Sequence, residues 1–124
     1  MITARDLLLE AKHLLALPQS TRTETRRRTI ISRSYYAAYH HLQAHEIGER
    51  YRRSGTEKTG MHRAFLNYLG SIRDPDVNYA HRILNDLYEW RVRADYWLRY
   101  TVPVGTDQQC WEDAETLMLE ILPA

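Results

Sequence analysis

The sequence predicts an all-α fold, an antiparallel bundle of about five helices with long central second and fourth helices, in one domain spanning residues 1–124. Three observations predict it. Apolar residues recur at helical spacing in each patterned stretch, no strand-like alternation bounded by turn signals occurs, and the breaks fall at proline or glycine. A chain of 124 residues is long enough to bury a core without disulfide or metal staples.

Helix one starts at Thr3, an N-cap with Asp6 in the first turn, and carries Leu7, Leu8, Ala11, Leu14 and Leu15 as far as Pro18. Helix two runs from about Thr23 to Ile47, with Ile31, Tyr35, Ala38, Leu42 and His45 on one stripe and Gly48 as its stop. From Glu49 to Gly60 there is no periodic apolar face, and Gly55 and Gly60 stand among charges, so an exposed loop is expected. A short third helix holds Met61, Ala64, Phe65, Tyr68 and Leu69, followed by a turn and new helix start at Asp74, Pro75 and Asp76. Helix four is expected from about Asp76 to Tyr100, with Ala80, Ile83, Leu84, Leu87, Trp90, Ala94, Trp97 and Leu98 on a face wide enough for two neighbours. The last helix, from about Asp107 to Leu122, presents Trp111, Ala114, Leu117, Met118, Ile121 and Leu122.

Composition narrows the setting. A single cysteine, Cys110, excludes an internal disulfide and suits a reducing compartment. Asp6, Glu10 and Lys12 interrupt any signal-peptide apolar region, and no run approaches the roughly 18 apolar residues of a membrane span. A cytoplasmic protein without a membrane partner is therefore expected. The net charge of +1 conceals a basic first half and an acidic second half, which either attract one another or turn one face to an anion. Basic residues gather at Arg26, Arg27 and Arg28 and again at Arg50, Arg52, Arg53 and Lys58, where they suit phosphates or else form a solvated surface. Nine tyrosines favour self-association as a homodimer over a strict monomer.

Three groupings bear chemistry. Arg33 and His40 are seven residues apart on helix two, about two turns and roughly 10 Å, and so share a face. A guanidinium there stabilises charge on phosphorus oxygens while an imidazole moves a proton, which suffices for RNA cleavage without metal or other cofactor. The alternative is a structural ion pair at Arg33 and a hydrogen-bonded His40. In helix four Arg91 interrupts the apolar stripe, so its charge requires a partner, and Asp95 one turn on is the nearest. Arg93 joins the phosphate-directed set. His41 and His45 stand one turn apart, but no third ligand occurs at a recognised spacing, so no metal site is expected.

The run Arg33-Ser34-Tyr35-Tyr36-Ala37-Ala38-Tyr39-His40, followed by Leu87-Tyr88-Glu89-Trp90-Arg91-Val92-Arg93-Ala94-Asp95-Tyr96, resembles the small single-domain branch of the HEPN superfamily. The resemblance covers helices two to four. It implies a dimerising helical bundle and, in many members, a metal-independent ribonuclease of toxin-antitoxin, CRISPR-linked or antiviral systems. It also implies an Arg and His pair near the dimer interface, a spacing that Arg33 and His40 meet at its upper limit. Related toxins show Arg, then His, then Tyr in helix four, whereas this chain has Arg91, Asp95 and Tyr96; an aspartate is ionised at neutral pH and is a poor acid. The resemblance further implies protein partners such as an antitoxin or a nucleotidyltransferase, the latter modifying Tyr96. The competing expectation is a non-catalytic adaptor that binds nucleotide, RNA or protein.

Overall fold

The computed structural model describes residues 1–18, 23–54 and 60–124. Six α-helices are present among them: α1 (Ala4–Leu15), α2 (Glu24–Ala44), α3 (Glu46–Arg53), α4 (Met61–Ser71), α5 (Pro75–Tyr96) and α6 (Thr106–Thr116), the last running into a π-helical segment, Leu117–Ile121. No described residue is in a strand. None of these helices is long and apolar enough to cross a membrane.

The helix starts are chemically explicit. At α1 the Thr3 hydroxyl accepts from the Asp6 amide at 3.2 Å and the Asp6 carboxylate accepts from the Thr3 amide at 2.9 Å, a reciprocal capping box. The backbone bond holds the Asp6 carboxyl below its ordinary range, with the Thr3 hydroxyl assisting. At α5 Asp74 accepts from the Asp76 and Val77 amides, and Pro75 occupies the first turn, where its missing N–H costs nothing.

Packing places α2 against α1, α5 and α6, and α5 against α2, α4 and α6. The core joins Ile31, Tyr35, Ala38 and Leu42 of α2 to Leu84 and Leu87 of α5, Phe65 and Leu69 of α4, and Ala114 and Leu117, all buried. The expected α2 stripe is therefore the inward face.

Several expected boundaries are corrected. Helix two ends at Ala44, and a separate helix, α3, takes in Glu46 and Ile47 from its expected end together with residues 49–53 of the expected loop. His45 makes the corner: it ends α2 with an extended backbone, and its Nδ1 accepts from the Ile47 amide at 3.1 Å as the N-cap of α3. Gly48 is not a stop but lies inside α3, where a Cβ would stand 2.3 Å from the Gln43 carbonyl oxygen. The α3 helix lacks a broad apolar face. Arg50 to Glu46 at 3.1 Å and Arg53 to Glu49, each one turn apart, brace it instead, while Ile47, Gly48 and Tyr51 are its buried residues.

The fourth helix expected from sequence, here α5, stops at Tyr96 rather than Tyr100. Its end is fastened by Arg28, whose Nη1 donates to the carbonyls of Arg93 and Ala94 at 3.0 and 2.9 Å, and whose Nη2 donates to those of Trp97 and Tyr100. A cation at a helix C-terminus satisfies orphan carbonyls and the dipole together. Glu24 completes the clamp, accepting from Val102 N at 3.0 Å and Arg28 Nη2 at 3.1 Å; the Val102 bond is the main reason its carboxyl is depressed. Because the helix stops early, Trp97 and Leu98 leave the core face and are exposed.

Candidate functional site

The densest polar and aromatic assembly lies where α2, α4 and α5 meet, around Arg91. Its position follows from periodicity: on α5 Arg91 falls between Leu87 and Ala94 on the buried face and is only 8% exposed. The predicted partner is present, with Arg91 Nε donating to Asp95 Oδ2 at 3.0 Å. Asp95 also accepts from the Ser32 hydroxyl at 3.3 Å. Arg91 Nη2 donates to the Tyr36 hydroxyl at 2.6 Å and, more weakly, to that of Tyr96 at 3.4 Å. Among the described residues no hydrogen bond takes up Nη1.

The guanidinium carbon lies 5.1 Å from the Tyr36 ring, 5.2 Å from that of Tyr96 and 5.9 Å from that of Tyr35. Burial works against its charge, but the oxygens of Tyr36, Tyr96 and Asp95 outweigh that penalty and raise the pKa of the group. The cation is thus permanent and partly dry.

Two imidazoles border it. His62 of α4 is centred 5.5 Å from Tyr35, 4.8 Å from Tyr39 and 5.9 Å from Tyr88. Its Nδ1 stands 2.6 Å from the Tyr35 hydroxyl. Burial, then the charges of Arg91 and His40, lower the pKa of His62, while burial raises that of Tyr35. A phenol held protonated donates to a neutral imidazole, which assigns the remaining ring proton of His62 to Nε2. His40 is exposed and packs on Tyr36 and Tyr39, with centroids 6.0 and 5.3 Å apart.

The other sequence candidates divide clearly. Arg33, although on the same helix as His40, turns to α1, where Nε donates to Glu10 at 3.1 Å in a half-exposed pair. It is Arg91, not Arg33, that shares the aromatic cluster with an imidazole. Arg50 and Arg53 are occupied by the α3 pairs, and Arg52 donates to the Gln43 carbonyl at 2.8 Å, closing the end of α2. Lys58 lies outside the described residues. Arg28, read with Arg26 and Arg27 as a phosphate cluster, is spent on the end of α5. Arg93 lies over Trp90 at 4.8 Å. Tyr96 is 65% exposed beside Arg91.

The His41 and His45 rings are 6.3 Å apart, but His41 Nε2 is bonded to the Leu122 carbonyl at 2.6 Å and His45 caps α3. Among the described residues no three His, Cys, Asp or Glu side chains gather as metal ligands. Of the nine tyrosines only Tyr79, Tyr96 and Tyr100 are exposed, so the tyrosine count mostly reports internal packing. The ion pairs of Arg28 with Glu24, Arg33 with Glu10, Arg50 with Glu46, Arg53 with Glu49 and Arg91 with Asp95 each lie within one half of the chain.

His62 carries a role that sequence reasoning did not give it. The available signal was its spacing: it precedes Phe65, Leu66 and Leu69 by three, four and seven residues and so extends the apolar stripe of α4. Compared with known proteins, the chain matches no family model, no curated protein and no solved structure.

Proposed function

We propose that this chain is a HEPN-like bundle with an RNA-directed role, acting as a metal-independent endoribonuclease of the toxin-antitoxin, CRISPR-linked or antiviral kind. The observation that carries the reading is the buried, permanently charged Arg91 set in one aromatic cluster with the exposed imidazole of His40. On this reading Arg91 Nη1 receives a phosphate oxygen of the strand. His40 takes the 2′-hydroxyl proton as that oxygen attacks phosphorus, the bond to the 5′-oxygen breaks, and the leaving oxygen takes a proton from solvent. The products are a 2′,3′-cyclic phosphate and a 5′-hydroxyl.

The test is cleavage of single-stranded RNA in EDTA with end-group analysis. His40→Ala, at an exposed position, removes activity without unfolding the chain; full cleavage by that variant sinks the mechanism. On the same reading two copies join their clefts, and sedimentation at micromolar concentration gives a dimer.

A second reading is a non-catalytic adaptor for nucleotide, RNA or protein. It is favoured by the carboxylates already held by Arg33 and Arg91, the arrangement of structural ion pairs. It predicts binding without cleavage. Tyr96, exposed with its hydroxyl 3.4 Å from Arg91 Nη2, is on the family resemblance the acceptor for a nucleotidyltransferase partner. An unmodified Tyr96 in the mass spectrum of protein co-expressed with such a partner removes that role.

A further inference from the structure

Beside the Arg91 cluster, α4 and α5 enclose an open recess of about 380 Å³ lined by Arg63, Tyr88, Glu89, Val92, Arg93 and Trp97. That volume is in the range of small-ligand sites. What marks it among the described residues is that two guanidinia without a carboxylate partner line the same recess, whereas Arg82, the other arginine held on a ring alone, stands singly on Tyr79 at 5.2 Å. Arg28, Arg33, Arg50, Arg53 and Arg91 each have a carboxylate partner. Arg63 and Arg93 have none among the described residues and lie on aromatic rings instead: Arg63 is 5.2 Å from the Tyr88 ring, and Arg93 is 4.8 Å from Trp90 and 5.6 Å from Trp97.

Glu89 and Arg93 stand one helical turn apart, the spacing at which a carboxylate and a guanidinium ordinarily pair. They do not pair here. The Glu89 carboxylate therefore keeps its acceptor capacity beside two guanidinia that keep their donors. Trp97 adds a ring 52% exposed.

We infer that this recess is a nucleotide subsite selective for guanine. The exposed face of Trp97 takes the base by stacking, a contact every nucleobase makes. Arg63 and Arg93 take the phosphate, each as a fork of N–H donors. The carboxylate of Glu89 supplies selectivity. Of the four RNA bases only guanine presents two adjacent N–H donors, N1–H and N2–H, on its pairing edge, and a carboxylate accepts two parallel bonds. Adenine, cytosine and uracil each offer that carboxylate one donor at most alongside an acceptor it repels.

The subsite rests on the RNA-directed reading for its place in a larger reaction. Tyr88 is the shared wall, centred 5.8 Å from Tyr35 and 5.9 Å from His62. A strand whose phosphate lies at Arg91 thereby offers a neighbouring base to the recess.

The experiment is tryptophan-fluorescence titration of the full chain with GMP, AMP, CMP and UMP, with circular dichroism showing each variant folded. GMP is expected to bind at least about tenfold more tightly than the other three, the scale of one discriminating bidentate contact. Glu89→Gln, which exchanges one acceptor for a donor, abolishes that preference; Arg93→Ala weakens all four nucleotides, and Trp97→Phe reduces the quench. Equal binding of the four nucleotides, or a GMP preference that survives Glu89→Gln, overturns the assignment. The two readings fail separately. RNA cleavage without GMP preference removes the subsite and leaves the nuclease, whereas GMP preference without any cleavage removes the nuclease and leaves the subsite.

Discussion

Asp95→Ala tests how Arg91 is held. The pair is partly dry, with side-chain exposures of 10% for Arg91 and 29% for Asp95. Losing one partner of a fully buried pair costs about 3–5 kcal/mol, because the other charge is stranded, whereas exposed pairs are worth about 0–1 kcal/mol. Arg91 retains Tyr36 and Tyr96, and solvent reaches the Asp95 side, so a cost of about 2–3 kcal/mol is expected. With a urea dependence of about 1.5 kcal/mol per molar, the midpoint falls by about 1–2 M at unchanged slope. The comparison variant is Glu10→Ala, which frees Arg33 in a pair exposed by 41% and 55% and should cost less than about 1 kcal/mol. Arg91→Met removes the charge while keeping apolar bulk, and should cost less than Asp95→Ala because the Asp95 left behind is hydrated. If Asp95→Ala and Glu10→Ala unfold at the same urea concentration, Asp95 does not hold a desolvated cation.

Three other outcomes are expected. His62 has a folded pKa below the ordinary 6.5, so above 6.5 both folded and unfolded chains are neutral there, and as pH falls below 6.5 the unfolded chain protonates first. Stability then declines toward acid until the folded imidazole protonates, and His62→Gln should flatten this limb of a urea-midpoint profile; an unaltered limb means His62 is not its source. Gly48→Ala drives a Cβ against the Gln43 and Leu42 carbonyls and should cost at least about 2 kcal/mol by thermal or urea unfolding, whereas a neutral result would show that the corner relaxes freely. Cys110 is buried and its thiol is pushed up to about 12, first by burial, so a maleimide at pH 8 should label it only after urea is added.

What could be read from sequence was what neighbouring residues decide together. Thr3 with Asp6, and Asp74 with Pro75, place helix starts by local bonds, and the α2 stripe follows from spacing alone. The Arg91 to Asp95 bond was likewise legible, since a cation within an apolar stripe has few partners within one turn. The misplaced boundaries depend on distant or compensating contacts. The α5 end is decided by Arg28, 65 or more positions earlier, and α3 is held by Glu to Arg pairs that a search for apolar periodicity passes over. The candidate site divides in the same way: Arg91, Asp95, Tyr96 and His40 were visible, but that Arg33 bonds to α1 while His62 joins the cluster depends on which helices become neighbours.

The π-helical close of α6 has a bearing on sequence change at that end of the chain. In Leu117–Ile121 each bond spans five residues, so the segment holds one more residue than α-helical winding would place there. Deleting a single residue from it lets the winding tighten and swings the last residues of the chain by about 100°, one residue's turn of the helix. The Leu122 carbonyl would then point away from the His41 ring that it meets at 2.6 Å. Shortening by one is thus more disruptive here than a side-chain replacement at exposed Leu119, while Leu117 and Met118 of the same segment are buried in the core and constrain identity as well as length.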